Sequence, residues 1–146
     1  MRGGRAAILS MTMGLGLAVI GNSAVAAADG DSLQQVVGLG KDLFMTATFG
    51  GNGRHCTTCH KEGGRAMSEL PNGKKFASLN NAAAVFPRYD DETHRVKTLP
   101  DQVWSCVHNA LEGKPPAYDS AEMTELVTYI TSLSQGKAID MDGKPQ

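Results

Sequence analysis

The chain has 146 residues and a formal net charge of −1, with 14 Lys and Arg set against 15 Asp and Glu. That balance, without any basic block, does not suit a phosphate-rich partner, so no DNA or RNA binding is predicted. Three cysteines exclude complete pairing into intrachain disulfides and leave a free thiol, an intermolecular bridge or another use.

The N-terminus has the order of a secretory signal peptide. Met1 to Arg5 carries two positive charges and no acid, and an apolar run follows from Ala6 to Ile20. Ala24-Val25-Ala26 then supplies an A-x-A cleavage site, with Ala26-Ala27-Ala28 two residues on. The run is short for a membrane span, although a retained anchor is the competing reading. Residues 1–26 are therefore predicted to be a signal peptide, and 27–146 one domain with its core at about 33–136. Export predicts a periplasmic protein with no membrane span after cleavage. Loss of Arg2 and Arg5 takes the net charge from −1 to −3.

The first helix is predicted over Leu33 to Phe44, where Leu33, Val36, Val37, Leu43 and Phe44 form an apolar face. Gly50-Gly51-Asn52-Gly53 ends it and turns the chain. From Lys61 to Lys97 no period is sustained. Gly63-Gly64, Pro71-Asn72-Gly73 and Pro87 punctuate a stretch that reads as loops wrapped over a cofactor. A second helix begins near Pro100, with Val103, Cys106, Val107, Ala110 and Leu111 at helical spacing, and Gly113 ends it. Asp119 or Ser120 caps the last helix, which buries Met123, Leu126, Val127, Ile130 and Leu133 and closes at Gly136. A frayed tail is expected from Lys137. The fold class is all-α, with three to four helices, long loops and no strands.

Chemistry concentrates in Cys56-Thr-Thr-Cys59-His60, the C-x-x-C-H sequence of covalent haem attachment. Two thiols one helical turn apart each add to a haem vinyl group, and the next residue presents an imidazole to the iron. Zinc would require a second ligand pair, and a redox dithiol a βαβ setting; the sequence offers neither. One covalent haem c is predicted, on Cys56 and Cys59, with His60 as proximal ligand. The arrangement resembles the c-type cytochromes. In that family a glycine on the first helix lets the last helix approach, and Gly40 with Phe44 and Leu126 with Tyr129 are placed for that crossing.

The sixth ligand is less plain. Met67 follows His60 too soon to reach the opposite haem face, Met123 reads as core, and Met45 precedes the motif. Cys106, His94 and His108 remain. Cys106 lies on the inward stripe of its helix, where inert packing is the competing reading. His94 sits in a charged loop and His108 off the stripe.

Phe86-Pro-Arg-Tyr89, Leu99 to Cys106, Leu111-Glu-Gly-Lys-Pro115, Asp119-Ser-Ala-Glu-Met123, Tyr129-Ile and Leu133-Ser-Gln-Gly136 together resemble the first haem domain of bacterial thiosulfate dehydrogenases. More distantly they resemble the SoxA subunit of the sulfur-oxidising system. Gly51-Asn-Gly53 fits the same pattern, and the similarity covers nearly the whole mature chain. The resemblance implies His60/Cys106 ligation, with Cys106 as the distal ligand and, in an enzyme, the catalytic one. The sequence also departs from the pattern. It has one C-x-x-C-H, and Gln102, Ala110 and Glu92 stand where the family carries a basic residue, a serine and an arginine. Coupling two thiosulfate dianions needs cationic and hydrogen-bonding groups, and it releases two electrons where one haem stores one.

Three functions follow from this reading. The first is a one-electron carrier linked to sulfur-compound oxidation, of low potential because a thiolate stabilises ferric iron. The second is a thiosulfate dehydrogenase-like enzyme or its haem subunit, with Arg88, Arg95, Lys97 and Lys114 as candidate cations for a sulfur oxyanion. The third is an NO- or CO-binding haem protein. The predicted partner is a redox protein, another cytochrome subunit being one candidate.

Overall fold

A computed structural model describes residues 28–146, so the predicted signal peptide lies outside the described residues. Helix α1 runs Ala28–Thr46, the single turn α2 Cys56–Cys59, α3 Ala82–Val85, α4 Leu99–Asn109 and α5 Ala121–Leu133. A 3₁₀ turn at Glu62–Gly64 follows the haem motif. Two antiparallel hairpins lie between, β1 (Ser68–Glu69) with β2 (Lys75–Phe76) and β3 (Arg88–Asp90) with β4 (Arg95–Lys97).

Helices α1 and α5 cross at Gly40. A side chain there would meet the Glu125 carbonyl and stand 2.8 Å from Tyr129 Cβ, so only hydrogen fits. The close approach brings the Phe44 and Tyr129 rings into contact at a tilt of 59°, with centroids 5.4 Å apart. Phe44, Met123, Leu126, Tyr129, Ile130 and Leu133 form the core, and Leu99 and Val103 of α4 join it. The predicted crossing is present. Leu33, assigned to the apolar face, is exposed.

Each long C-terminal helix starts at a side-chain cap. Ser120 Oγ accepts from Met123 N at 3.2 Å, opening α5. Thr98 opens α4, donating its backbone N–H to Asp101 Oδ2 at 2.8 Å while its hydroxyl accepts from Asp101 N at 3.4 Å. This reciprocal pairing satisfies two of the donors that a helix start leaves free.

Two expectations need correction. The all-α class with three to four helices misses the hairpins and the one-turn helices α2 and α3. Strands of two or three residues are too short to show an alternating pattern. The tail is not frayed either. Asp140 N donates to Ala84 O at 2.8 Å, and Asn81 clamps Lys144 O and Gln146 N at 3.0 Å each.

Candidate haem site

The segment before the haem motif is docked onto the end of α4. Asn52 N donates to Leu111 O at 2.8 Å, and Lys114 N to Phe49 O at 2.9 Å. Gly51 lies against the Leu111 carbonyl with no room for a Cβ. Helix α2 then places Cys56 and Cys59 one turn apart. Its first turn is closed by His55 N donating to Thr58 Oγ1 at 3.1 Å, and Ser68 Oγ donates to Cys59 O. The His60 ring sits between Phe44, at 6.3 Å, and Phe76, at 5.6 Å edge-on.

Cys56 and His60 open into a mainly apolar cavity. Helix α4 lines it with Leu99, Gln102, Val103, Cys106 and Val107, and Phe44, Leu126 and Ile130 contribute from the core. Phe86, Arg88 and Pro145 complete it, so the tail helps to wall the site. All three cysteines are unpaired. Burial pushes the Cys56 thiol up to about 12, and the neighbouring Cys106 adds to the rise. Burial also raises Cys106, opposed first by its hydrogen bond from Gln102. In His60, burial holds the imidazole below its ordinary value, opposed by the backbone of Ala77. His60 Nδ1 is buried without a hydrogen-bond partner.

Among the predicted residues, Cys56, His60 and Cys106 line the one cavity, and Cys59 lies on the same turn as Cys56. The other sixth-ligand candidates are elsewhere. Met67 is 71% exposed and Met123 is buried in the α1–α5 core. His108 is exposed and stacks on Trp104 at 4.9 Å, while exposed His94 sits between β3 and β4. Met45 lines a different surface depression with Val37 and Lys41. Of the candidate cations, Arg88 lines the cavity, whereas Lys97 is bound to Asp90 at 2.6 Å. Arg95, Lys114, Glu92 and Ala110 are outside its lining. Sequence reasoning missed Ala77, Phe76 and Pro145, which come from segments without periodic pattern. It registered Gln102 only as a departure from the family, although the residue contacts Cys106.

Residues 39–139 match the model of the SoxA/TsdA cytochrome c domain. The chain belongs to that family. It is 32% identical over 114 residues to a thiosulfate dehydrogenase of Stutzerimonas stutzeri, a match covering 75% of this chain and 34% of the relative. The L-cysteine S-thiosulfotransferase subunit SoxA of Chlorobaculum tepidum is 33% identical over 89 residues, covering 57% of this chain and 31% of that protein. The solved thiosulfate dehydrogenase TsdBA from Marichromatium purpuratum superposes with a TM-score of 0.60 at 23% identity, covering 75% of this chain and 24% of that one. SoxXA from P. pantotrophus gives 0.59 at 24%, covering 77% and 38%. The last two show the cytochrome c fold. The chain thus spans about a third of the length of the curated relatives named here.

As a SoxA/TsdA cytochrome c domain the chain carries covalently bound haem c, and its Cys56-x-x-Cys59 motif is consistent with that. The residues fit the group: a mainly apolar cavity is lined by an attachment thiol, the imidazole next to the motif and a third sulfur donor, Cys106. Among the described residues there is no cluster of three or more His, Cys, Asp and Glu side chains able to hold a metal ion. No helix among the described residues is long and apolar enough to cross a membrane.

Proposed function

We propose that the protein is a periplasmic one-electron carrier of sulfur-compound oxidation, with haem c held by Cys56 and Cys59 and ligated by His60 and Cys106. The observation that carries this reading is that Cys106 lines the cavity of His60 while Met45, Met67, Met123, His94 and His108 do not. Bound haem c supplies a one-electron Fe(III)/Fe(II) couple. Around it the chain's own residues bind, orient and exclude water. Cys56 and Cys59 anchor the group, and Phe44 and Phe76 hold the His60 ring. Leu99, Val103 and Ile130 keep the site apolar. A Cys106 thiolate on the iron would add negative charge to the metal and favour the ferric state, giving a potential below that of a His/Met cytochrome.

Sulfur chemistry is supported by the thiosulfate dehydrogenase and SoxA relatives. The solved neighbours, TsdBA and SoxXA, support a second cytochrome subunit as electron partner. The signal-like N-terminus supports export. A second reading, turnover of thiosulfate, is favoured by Arg88, a cation at the cavity able to face an oxyanion. The carrier reading takes precedence because Gln102, at the cavity, is an uncharged amide and Lys97 is paired with Asp90.

The test is the low-temperature EPR spectrum of the ferric holoprotein beside Cys106→Met. A low-spin thiolate signature lost in the variant supports the ligation, and a spectrum unchanged by the variant sinks it. Thiosulfate oxidation measured with an artificial acceptor separates carrier from enzyme.

A further inference from the structure

Gln102 and Cys106 lie one turn apart on α4, with Gln102 Nε2 3.2 Å from Cys106 Sγ. The other end of the same amide is occupied too, since Arg88 donates from a terminal guanidinium nitrogen to Gln102 Oε1 at 3.3 Å. A guanidinium has donors and no acceptor, so it faces only the carbonyl oxygen of a carboxamide. Arg88 therefore fixes which way Gln102 points, and the NH₂ group is left for the sulfur. Arg88 is itself held, on strand β3 and over the Phe86 ring at 5.0 Å. All three residues line the cavity of His60.

We propose that Gln102, oriented by Arg88, is a positioning residue for Cys106 that moderates how strongly its sulfur donates to iron. This rests on the His60/Cys106 ligation proposed above. A hydrogen bond to a thiolate draws electron density away from the metal, and bonds of this kind tune the potentials of sulfur-ligated iron. The chain thereby combines a thiolate ligand with a potential higher than the thiolate alone would set. A neutral amide retains a donor to the sulfur without adding a charge to the site.

The experiment is potentiometric titration and ferric EPR of the holoprotein carrying Gln102→Leu, Gln102→Glu, Arg88→Met or the Gln102→Leu/Arg88→Met pair. Gln102→Leu is expected to shift the one-electron equilibrium about tenfold towards the ferric form, about 59 mV, with the thiolate signature kept and its g-values moved. Gln102→Glu, which keeps the contact with Arg88 and loses the donor, is expected to shift it further in the same direction. Arg88→Met is expected to have a smaller effect alone and almost none in the Gln102→Leu background, because it acts through the amide. An unchanged potential in both Gln102 variants overturns the proposal while leaving the ligation standing. Additive effects of Arg88 and Gln102 overturn the relay, since Arg88 would then act as a bare charge. If Gln102→Leu does not fold, Gln102→Glu decides. A wild-type spectrum without a thiolate signature overturns the ligation and this proposal together.

Discussion

The Tyr129 hydroxyl on α5 donates a 2.7 Å hydrogen bond to the carbonyl of Gly63, tying the last helix to the turn that follows His60. The ring also packs at a tilt against Phe44, whose own ring lies 6.3 Å from that of His60, so one side chain braces the haem turn through both a polar and an apolar contact. Tyr129→Phe keeps the ring contact and leaves a buried carbonyl without its donor. The expected loss is about 1–3 kcal/mol, read from urea denaturation of the holoprotein. A variant as stable as wild type would show that the bond is replaced by water.

Gly40 and Gly38 make a matched pair on α1. Nothing stands within 4 Å of a Cβ at Gly38, whereas one at Gly40 meets the Glu125 backbone. Gly38→Ala is expected to stabilise by about 0.5–1 kcal/mol through helix propensity. Gly40→Ala is expected to destabilise by about 1–3 kcal/mol, because overpacking at the crossing outweighs that gain. Equal effects at the two sites, in parallel denaturation curves, would contradict the crossing.

Asn81 is buried and grips the tail from both ends of its amide, accepting from Gln146 N and donating to Lys144 O. Removing it in Asn81→Ala releases a segment whose Pro145 lines the haem cavity. Amide hydrogen exchange is expected to rise across residues 140–146, with a stability loss of about 1–2 kcal/mol. Unchanged protection of that segment would mean that the backbone bonds to Ala84 and Val85 suffice.

Asp90 supplies a pH dependence. Its bond from the Lys97 ammonium, together with the N–H and hydroxyl of Thr93, holds the carboxyl well below its ordinary value of 3.8. A carboxyl whose folded value is depressed contributes stability that is present above 3.8 and lost as pH falls from there towards the folded value. Stability should therefore decline on acidification below about pH 4, and Asp90→Asn should flatten that part of the profile. Urea midpoints measured across the acid range check this, and parallel profiles for variant and wild type would remove Asp90 as the cause.

Much of the site was legible in the chain itself, for identifiable reasons. Cys56, Cys59 and His60 are contiguous, and covalent attachment dictates their spacing. Helix α5 announces itself through Ser120 and the stripe from Met123 to Leu133, since amphipathic period and cap chemistry are local. The tail and the hairpins carried no such signal. Tyr89 pairs with Val96, and Asp140 with Ala84, through backbone groups that every residue possesses. The alternating or helical side-chain pattern that sequence reading relies on has no room to develop there.

The sequence by itself determined the haem motif, the order of the helices and the family to which they belong, because spacing along the chain is enough to encode each of them. Only the tertiary structure decided which distant side chains share the haem cavity. It brings Cys106 into the cavity of His60 while Met67 stays in solvent, and it sets Arg88 and Gln102 behind the sulfur. The physical reason is that these meetings depend on how α4 docks against the α1–α5 crossing. That docking is a three-dimensional packing solution for Gly40, Phe44, Leu99, Val103 and Leu126, residues far apart in the chain.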